Sequence, residues 1–98
     1  MNYAEDVSRA RRLAMLQAIY FAADYLLNRA MLRTRVEAAG YITSVDLLHT
    51  ECAWLAEMGY IELLEMDTVR LTERGADVAR GRSQTPGVRR PSPGERLP

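Results

Sequence analysis

A stretch from residue 53 to residue 75 constrains the fold more than any other part of the chain. It opens with Ala-Trp-Leu-Ala-Glu-Met-Gly-Tyr-Ile-Glu and closes with Leu-Thr-Glu-Arg-Gly. Gly59 is expected to end a helix, and the alternating apolar and polar residues that follow predict a strand. A two-residue turn at Met66-Asp67 and a return strand over 68–71 predict a hairpin. Thr72 is then expected to cap a last helix, which Gly81 ends.

Three helices are predicted before this stretch. The first is capped by Asn2 and carries apolar residues at helical spacing: Leu13, Leu16, Ile19, Tyr20 and Ala23. A short extended link leads to Asn28, the expected cap of a second helix that ends at Gly40. Ile42 in the next turn is expected to point inward. Thr43 or Ser44 caps a third helix, whose predicted buried stripe is Leu48, Cys52, Leu55 and Met58.

This order of elements predicts a winged helix-turn-helix, a mainly α fold with a small β-hairpin, over residues 1–81. Its third helix has the place of a recognition helix. Residues 82–98 contain all four prolines of the chain and show no apolar periodicity. They are therefore predicted to form a flexible, disordered Arg/Pro-rich tail.

The charge of the chain is divided unevenly between these two parts. Residues 1–81 hold nine arginines against twelve acids, whereas residues 82–98 hold four arginines against one glutamate. The body is therefore mildly acidic and the tail basic. No apolar run approaches the length of a membrane span, and charged residues interrupt the start of the chain before any leader-like segment. With a single cysteine, the chain suits a reducing cytoplasm, and no membrane partner is expected.

No arrangement of side chains in the sequence predicts catalysis. His49 is the only histidine, and no glycine-rich phosphate loop occurs. Cys52 lies three residues after His49 on the same predicted helix, but two ligands do not make a zinc site. We therefore expect a protein that is not an enzyme and that uses neither a metal nor a cofactor.

The outer side of the third helix is the predicted DNA-binding surface, with Ser44 and Thr50 as candidate contacts. This side is also expected to carry Asp46 and Glu51, whose charges oppose phosphate binding, and it has no basic residue. Arginines elsewhere must then contact the phosphates. The candidates are Arg33 and Arg35 on the second helix, Arg70 in the hairpin, and Arg89 and Arg90 in the tail.

Leu47 and Trp54 have two interpretations. Trp54 either folds over the hairpin and closes the core, or forms with Leu47 an exposed apolar patch for a homodimer or a protein partner. The tail likewise is either a solubilising extension or a basic arm. The sequence leaves both choices open.

Several segments resemble a family of small proteins from Mu-like phages and prophages. They are Met1–Glu5, Arg11–Leu13, Ala53–Gly59, Leu71–Ala79 and Pro86–Pro93. Members of that family are often described as ArsR-like or winged-helix regulators. The resemblance implies arginines early in the third helix, where this chain has Val45, Leu47 and Leu48. It implies no metal sensing, because the Cys-Val-Cys ligands of ArsR proteins are absent.

Two hypotheses follow from the sequence. The first is a winged-helix protein that binds double-stranded DNA in the bacterial host as a small transcriptional regulator. The second is a non-catalytic protein-interaction or phage-assembly module on the same scaffold, because one fold serves many functions.

Overall fold

The computed structural model describes residues 2–95 and residue 97. Residues 1, 96 and 98 lie outside the described residues, and the last two of them belong to the predicted tail. Four α-helices form within the described part: α1 (Tyr3–Tyr20), α2 (Arg29–Ala38), α3 (Val45–Glu57) and α4 (Glu73–Arg80). None of them is long and apolar enough to cross a membrane.

Each helix begins at a capping residue that the sequence predicts. The side chains of four residues accept a hydrogen bond from a backbone N–H of the first turn: Asn2, Asn28, Ser44 and Thr72. Gly40, Gly59 and Gly81 adopt left-handed backbone conformations just after α2, α3 and α4. The predicted helix boundaries are therefore confirmed at these positions, because local hydrogen bonds and glycine geometry determine them.

A small antiparallel sheet of three strands accompanies the helices. Its strands are β1 (Leu26–Asn28), β2 (Ile61–Leu64) and β3 (Thr68–Leu71), in the spatial order β1-β3-β2. The hairpin of β2 and β3 is predicted from the sequence. Where β1 forms, the sequence predicts an extended link and no strand. Because Leu64 pairs with Thr68, the turn contains Glu65, Met66 and Asp67. The predicted two-residue turn is wrong by one residue.

The core lies between the sheet and helices α1 to α4. The predicted inward positions Leu13, Leu16 and Ile19 on α1 and Leu48, Cys52 and Leu55 on α3 are buried. Met58 is only partly buried. The prediction for Ile42 is wrong, since its side chain is 89% exposed and Thr43 takes the inward position. The buried Thr43 hydroxyl donates to the Tyr41 carbonyl, which satisfies it locally.

The segment after α4 packs against α1. Arg89 donates its backbone N–H to the Arg9 carbonyl at 3.1 Å, and Val88 and Pro91 are buried. We call residues 86–91 the strap. The strap contains no helix or strand, but its side chains Val88 and Pro91 are buried, which its Pro-rich composition does not predict. Flexibility of this region in solution stays a prediction.

Candidate nucleic-acid interface

One whole side of α3 faces solvent. Its exposed residues recur every three or four positions, as Val45, Asp46, His49, Thr50, Ala53 and Glu57. Thr50 lies near the middle of this side. Ser44 is exposed at the start of the helix, but its hydroxyl oxygen already accepts the Leu47 N–H at 3.0 Å. Both predicted contact residues of α3 are thus on the accessible side, with Thr50 the less constrained of the two.

Glu51 does not lie on this exposed side. Its side chain is buried against α1, where Arg12 donates from Nε to both carboxylate oxygens at 3.2 and 3.1 Å. Arg11 Nη1 adds a bond to Oε2 at 3.4 Å. The expectation that Glu51 faces the phosphates is therefore wrong. The sequence signal was its spacing, since Glu51 follows Leu48 by three residues and precedes Leu55 by four, which places it on the buried stripe.

Three of the predicted phosphate-binding arginines are paired with carboxylates. Arg33 Nη2 lies 3.7 Å from Glu37 Oε2, and its Nε donates to the Thr43 carbonyl at 2.6 Å. Arg70 Nε donates to Glu62 Oε1 at 3.0 Å. These pairs are solvent-accessible, so a phosphate can compete for the arginines at modest cost.

Arg89 forms the third pair, with Glu95 in the described part of the predicted tail. Its two terminal nitrogens donate to the two carboxylate oxygens at 3.0 and 3.1 Å. The hydrogen bonds to Glu95 raise the pKa of Arg89. The hydrogen bonds that Glu95 accepts, first from Arg89 and second from Ser92, lower the pKa of Glu95 to about 2. The bidentate geometry gives this part of the chain a defined local conformation.

The predicted arginines do not form one surface. Arg33 lines a cleft beside α3, whereas Arg35, on another side of α2, lines a groove with Phe21 and Ala39. Arg90 is exposed on the strap and lines a shallow groove with Arg9 and Arg89. Of Arg33, Arg35 and Arg90, only Arg33 thus lines a cleft together with residues of the exposed side of α3.

The cleft beside α3 brings together polar side chains that the sequence analysis did not group. It measures about 230 Å³ and lies between α2, α3 and the β2–β3 turn. Its polar lining includes Arg29, Arg33, His49 and Asp67. Arg29 Nε lies 3.5 Å from Asp67 Oδ1. The available signal was the four-residue spacing of Arg29 and Arg33, which places both on one side of a helix.

Trp54 packs against α1 and the strap, and its partly buried side chain borders the hydrophobic core. The guanidinium carbon of Arg12 lies 4.2 Å from the centroid of the Trp54 ring, and Gly87 of the strap lies beside the ring. Leu47 is partly buried. Large exposed apolar side chains occur instead around the start of α3 and the β2–β3 turn, at Ile42, Val45 and Met66. The proposed interface role of Leu47 and Trp54 stays a prediction.

Cys52 is buried in the core, and burial raises the pKa of its thiol to about 11. This environment is that of a small apolar residue, which agrees with the sequence-based interpretation. Within residues 2–95 and at residue 97, no three histidine, cysteine or acidic side chains are grouped so that they could hold a metal ion.

Comparison with known proteins places this chain among phage proteins. It is 34% identical over 86 residues to a protein of Escherichia phage Mu, the uncharacterized protein gp26, and the match covers 85% of this chain and 88% of gp26. The chain belongs to the family of phage Mu gp26. Membership of the gp26 family confirms the Mu-like phage resemblance. No protein-family model matches the chain, and no solved structure matches it.

Three of the segments that carry the phage resemblance meet at one place in this gp26-family chain. They are the segments that contain Arg12, Trp54 and Gly87. Arg12 lies between the Trp54 ring and the strap, where its Nη1 donates to the Gly87 carbonyl at 3.0 Å. Its Nε holds Glu51 on α3. Residues far apart in the sequence thus form a single polar and aromatic cluster that joins α1, α3 and the strap.

Proposed function

We propose that this protein is a winged-helix DNA-binding protein of a Mu-like phage and acts as a small transcriptional regulator in the host cytoplasm. The observation that carries the proposal is the continuous exposed side of α3 within the order α1-β1-α2-α3-β2-β3. A recognition helix enters the major groove only if one full side of it is free. The sheet order β1-β3-β2 supports the winged arrangement, with the β2–β3 hairpin as the wing.

The side chains of α3 suit DNA better than the sequence alone indicated. Glu51 is removed from the exposed side by Arg11 and Arg12, which leaves Asp46 in the first turn and Glu57 at the end of α3 as the exposed acids. Thr50 and His49 can reach base edges, and the methyl groups of Val45 and Thr50 can contact thymine. Arg33, in the cleft beside α3, and Arg70, in the wing, are the arginines proposed to contact phosphates and so to fix the orientation of the helix.

The test of this proposal is a fluorescence-anisotropy titration of duplex DNA from the phage's own operon at two salt concentrations. Phosphate neutralisation releases counterions, so about three contacts predict roughly 40-fold weaker binding between about 50 and about 200 mM salt. Binding that is undetectable, or that does not change with salt, would refute the proposal.

A protein-interaction or assembly role is the second candidate, and the exposed apolar residues near α3 favour it. Ile42 and Met66 are each 89% exposed, and Val45 is 53% exposed. Ile42 precedes α3 and Val45 is its first residue, and exposed apolar surface can mark a protein contact, including a homodimer contact. Such a contact would compete with DNA for α3.

The oligomeric state, measured by sedimentation, tests the protein-interaction role through a homodimer contact. We would compare wild type with the double variant Ile42→Ser, Met66→Ser, using Tyr3→Ser as a control at another exposed apolar site. Loss of a dimer in the double variant alone supports the interaction role. A wild-type protein that stays monomeric at all concentrations contradicts a homodimer through this surface.

A further inference from the structure

We infer that the cleft between α2, α3 and the β2–β3 turn is a phosphate-binding site, formed by Arg29, Arg33 and His49. In the structure, the carboxylate of Asp67 stands where the phosphate would bind. The inference rests on the proposed function for the source of that phosphate, which is the DNA backbone. It adds a specific site, and an internal competitor for that site, to the general expectation of phosphate contacts.

The first argument is an unsatisfied donor in the cleft. The Arg29 side chain is only 16% exposed, and its Nε is buried without a hydrogen-bond partner. The carboxylate of Asp67 approaches this nitrogen to 3.5 Å, which is an ion pair but not a hydrogen bond in this geometry. Buried donors are nearly always hydrogen-bonded in folded proteins. An acceptor that enters the cleft would therefore satisfy Arg29 better than Asp67 does.

The second argument is the match between the lining and a phosphate group. Arg33 lies one turn after Arg29 on the same helix, and its side chain remains 39% exposed. His49 lines the cleft from α3 and is exposed. Guanidinium groups bind phosphate oxygens through paired N–H donors, and an imidazole supplies a further donor. A cleft of about 230 Å³ can admit one phosphate group of a backbone that runs past α3.

The third argument is that the Asp67 carboxylate can leave without moving the turn. The turn is fixed by its backbone, because the Arg29 N–H donates to the Asp67 carbonyl at 2.8 Å. The Asp67 side chain is 63% exposed. A backbone phosphodiester carries one negative charge and two non-bridging oxygens, as a carboxylate does, so it can take the place of the carboxylate beside Arg29 while Arg33 and His49 supply further donors.

The test uses three variants of the full chain and two probes. Asp67→Asn removes the charge and keeps a residue that tolerates the left-handed conformation found at Asp67. Arg29→Gln removes the proposed ligand. Arg35→Gln is the matched control for the phosphate titration alone, because Arg35 lies on the same helix outside the cleft. Inorganic phosphate is titrated first, with the arginine Nε–Hε and backbone amide signals followed by NMR, and duplex DNA is titrated second.

We expect phosphate to shift the Arg29 Nε–Hε signal and the amides of Ala30 and His49 in the wild type. Asp67→Asn should bind phosphate about fivefold more tightly, as expected for removal of one nearby like charge. Arg29→Gln should lose the localised shifts, and Arg35→Gln should keep them. Phosphate shifts spread evenly over the arginines, or unchanged affinity in Asp67→Asn, would overturn the site. The Asp67→Asn result stands even if Arg29→Gln folds poorly.

The duplex titration separates this inference from the proposed function. Tighter duplex binding by Asp67→Asn supports a backbone phosphate in the cleft. Wild-type DNA binding that neither Asp67→Asn nor Arg29→Gln alters overturns the inference and leaves the proposed function intact. Localised phosphate binding without any duplex binding overturns the DNA backbone as the source, refutes the proposed function, and assigns the cleft to a free phosphate compound.

Discussion

The guanidinium carbon of Arg12 lies 4.2 Å from the centroid of the Trp54 ring, and Gly87 of the strap packs beside this pair. The same guanidinium donates to the Gly87 carbonyl and to the Glu51 carboxylate. One side chain of α1 thus contacts α3 and the strap at once. Stacking of a cation on an aromatic ring strengthens when both groups are partly removed from water.

Gly87→Ala should detach the strap from Trp54. Gly87 has a φ of +94°, and an added Cβ would lie 2.8 Å from two ring atoms of Trp54. Backbone strain and this overlap should lower the free energy of unfolding by about 1–3 kcal/mol. Because the chain has one tryptophan, the emission of Trp54 should shift to longer wavelength as its ring becomes exposed.

Gly94→Ala is the matched control for this variant, since nothing lies within 4 Å of the added Cβ and the backbone there is not left-handed. It should leave the emission and the urea midpoint unchanged. Equal behaviour of the two variants would show that the strap does not rest on Trp54 in solution.

Glu51→Gln should destabilise the protein strongly. The Glu51 side chain is 5% exposed and lies between two arginines, of which Arg11 is 10% exposed. Removal of one partner leaves buried charge without compensation, which typically costs about 3–5 kcal/mol. Urea unfolding should measure this loss against Glu62→Gln, whose solvent-accessible pair with Arg70 contributes about 0–1 kcal/mol. Similar small losses in both variants would contradict the buried position of Glu51.

Cys52 should make stability fall at alkaline pH. Burial raises the pKa of its thiol from 9.0 to about 11, so the unfolded chain loses this proton first. The stabilising contribution is complete below pH 9 and is lost as the pH rises to about 11, with a total of about 2–3 kcal/mol.

Thermal unfolding of wild type and Cys52→Ala between pH 8 and about 11 checks this assignment. Other groups titrate in both proteins, so the difference between the two curves isolates the thiol. The difference should shrink above pH 9. A constant difference, or rapid reaction of the native thiol with an alkylating reagent at neutral pH, would argue against a buried Cys52.

Local signals allowed much of the fold to be predicted from the sequence. The caps at Asn28 and Ser44 and the helix end at Gly59 follow from hydrogen bonds and backbone geometry within a few residues. The strand β1 was missed because its three residues become a strand only by pairing with β3, forty residues later. Short strands of this kind depend on tertiary context more than on propensity.

The candidate site was less predictable because its side chains depend on partners distant in sequence. Glu51 was assigned to the outer side of α3, although its burial is made possible by arginines about forty positions earlier. The contact of Asp67 with Arg29 likewise joins the turn to a helix that begins well before it. Ion pairs across elements carry no periodic signal, so only the tertiary structure brings them together.

The most direct test of the central claim is the affinity for duplex DNA of two glutamate variants at exposed helical alanines. Ala53 lies on the exposed side of α3, and Ala4 lies at the start of α1. If α3 faces the DNA, Ala53→Glu should bind the duplex about tenfold more weakly, whereas Ala4→Glu should stay within about twofold of wild type. Equal affinities of Ala53→Glu, Ala4→Glu and wild type would contradict DNA recognition by α3.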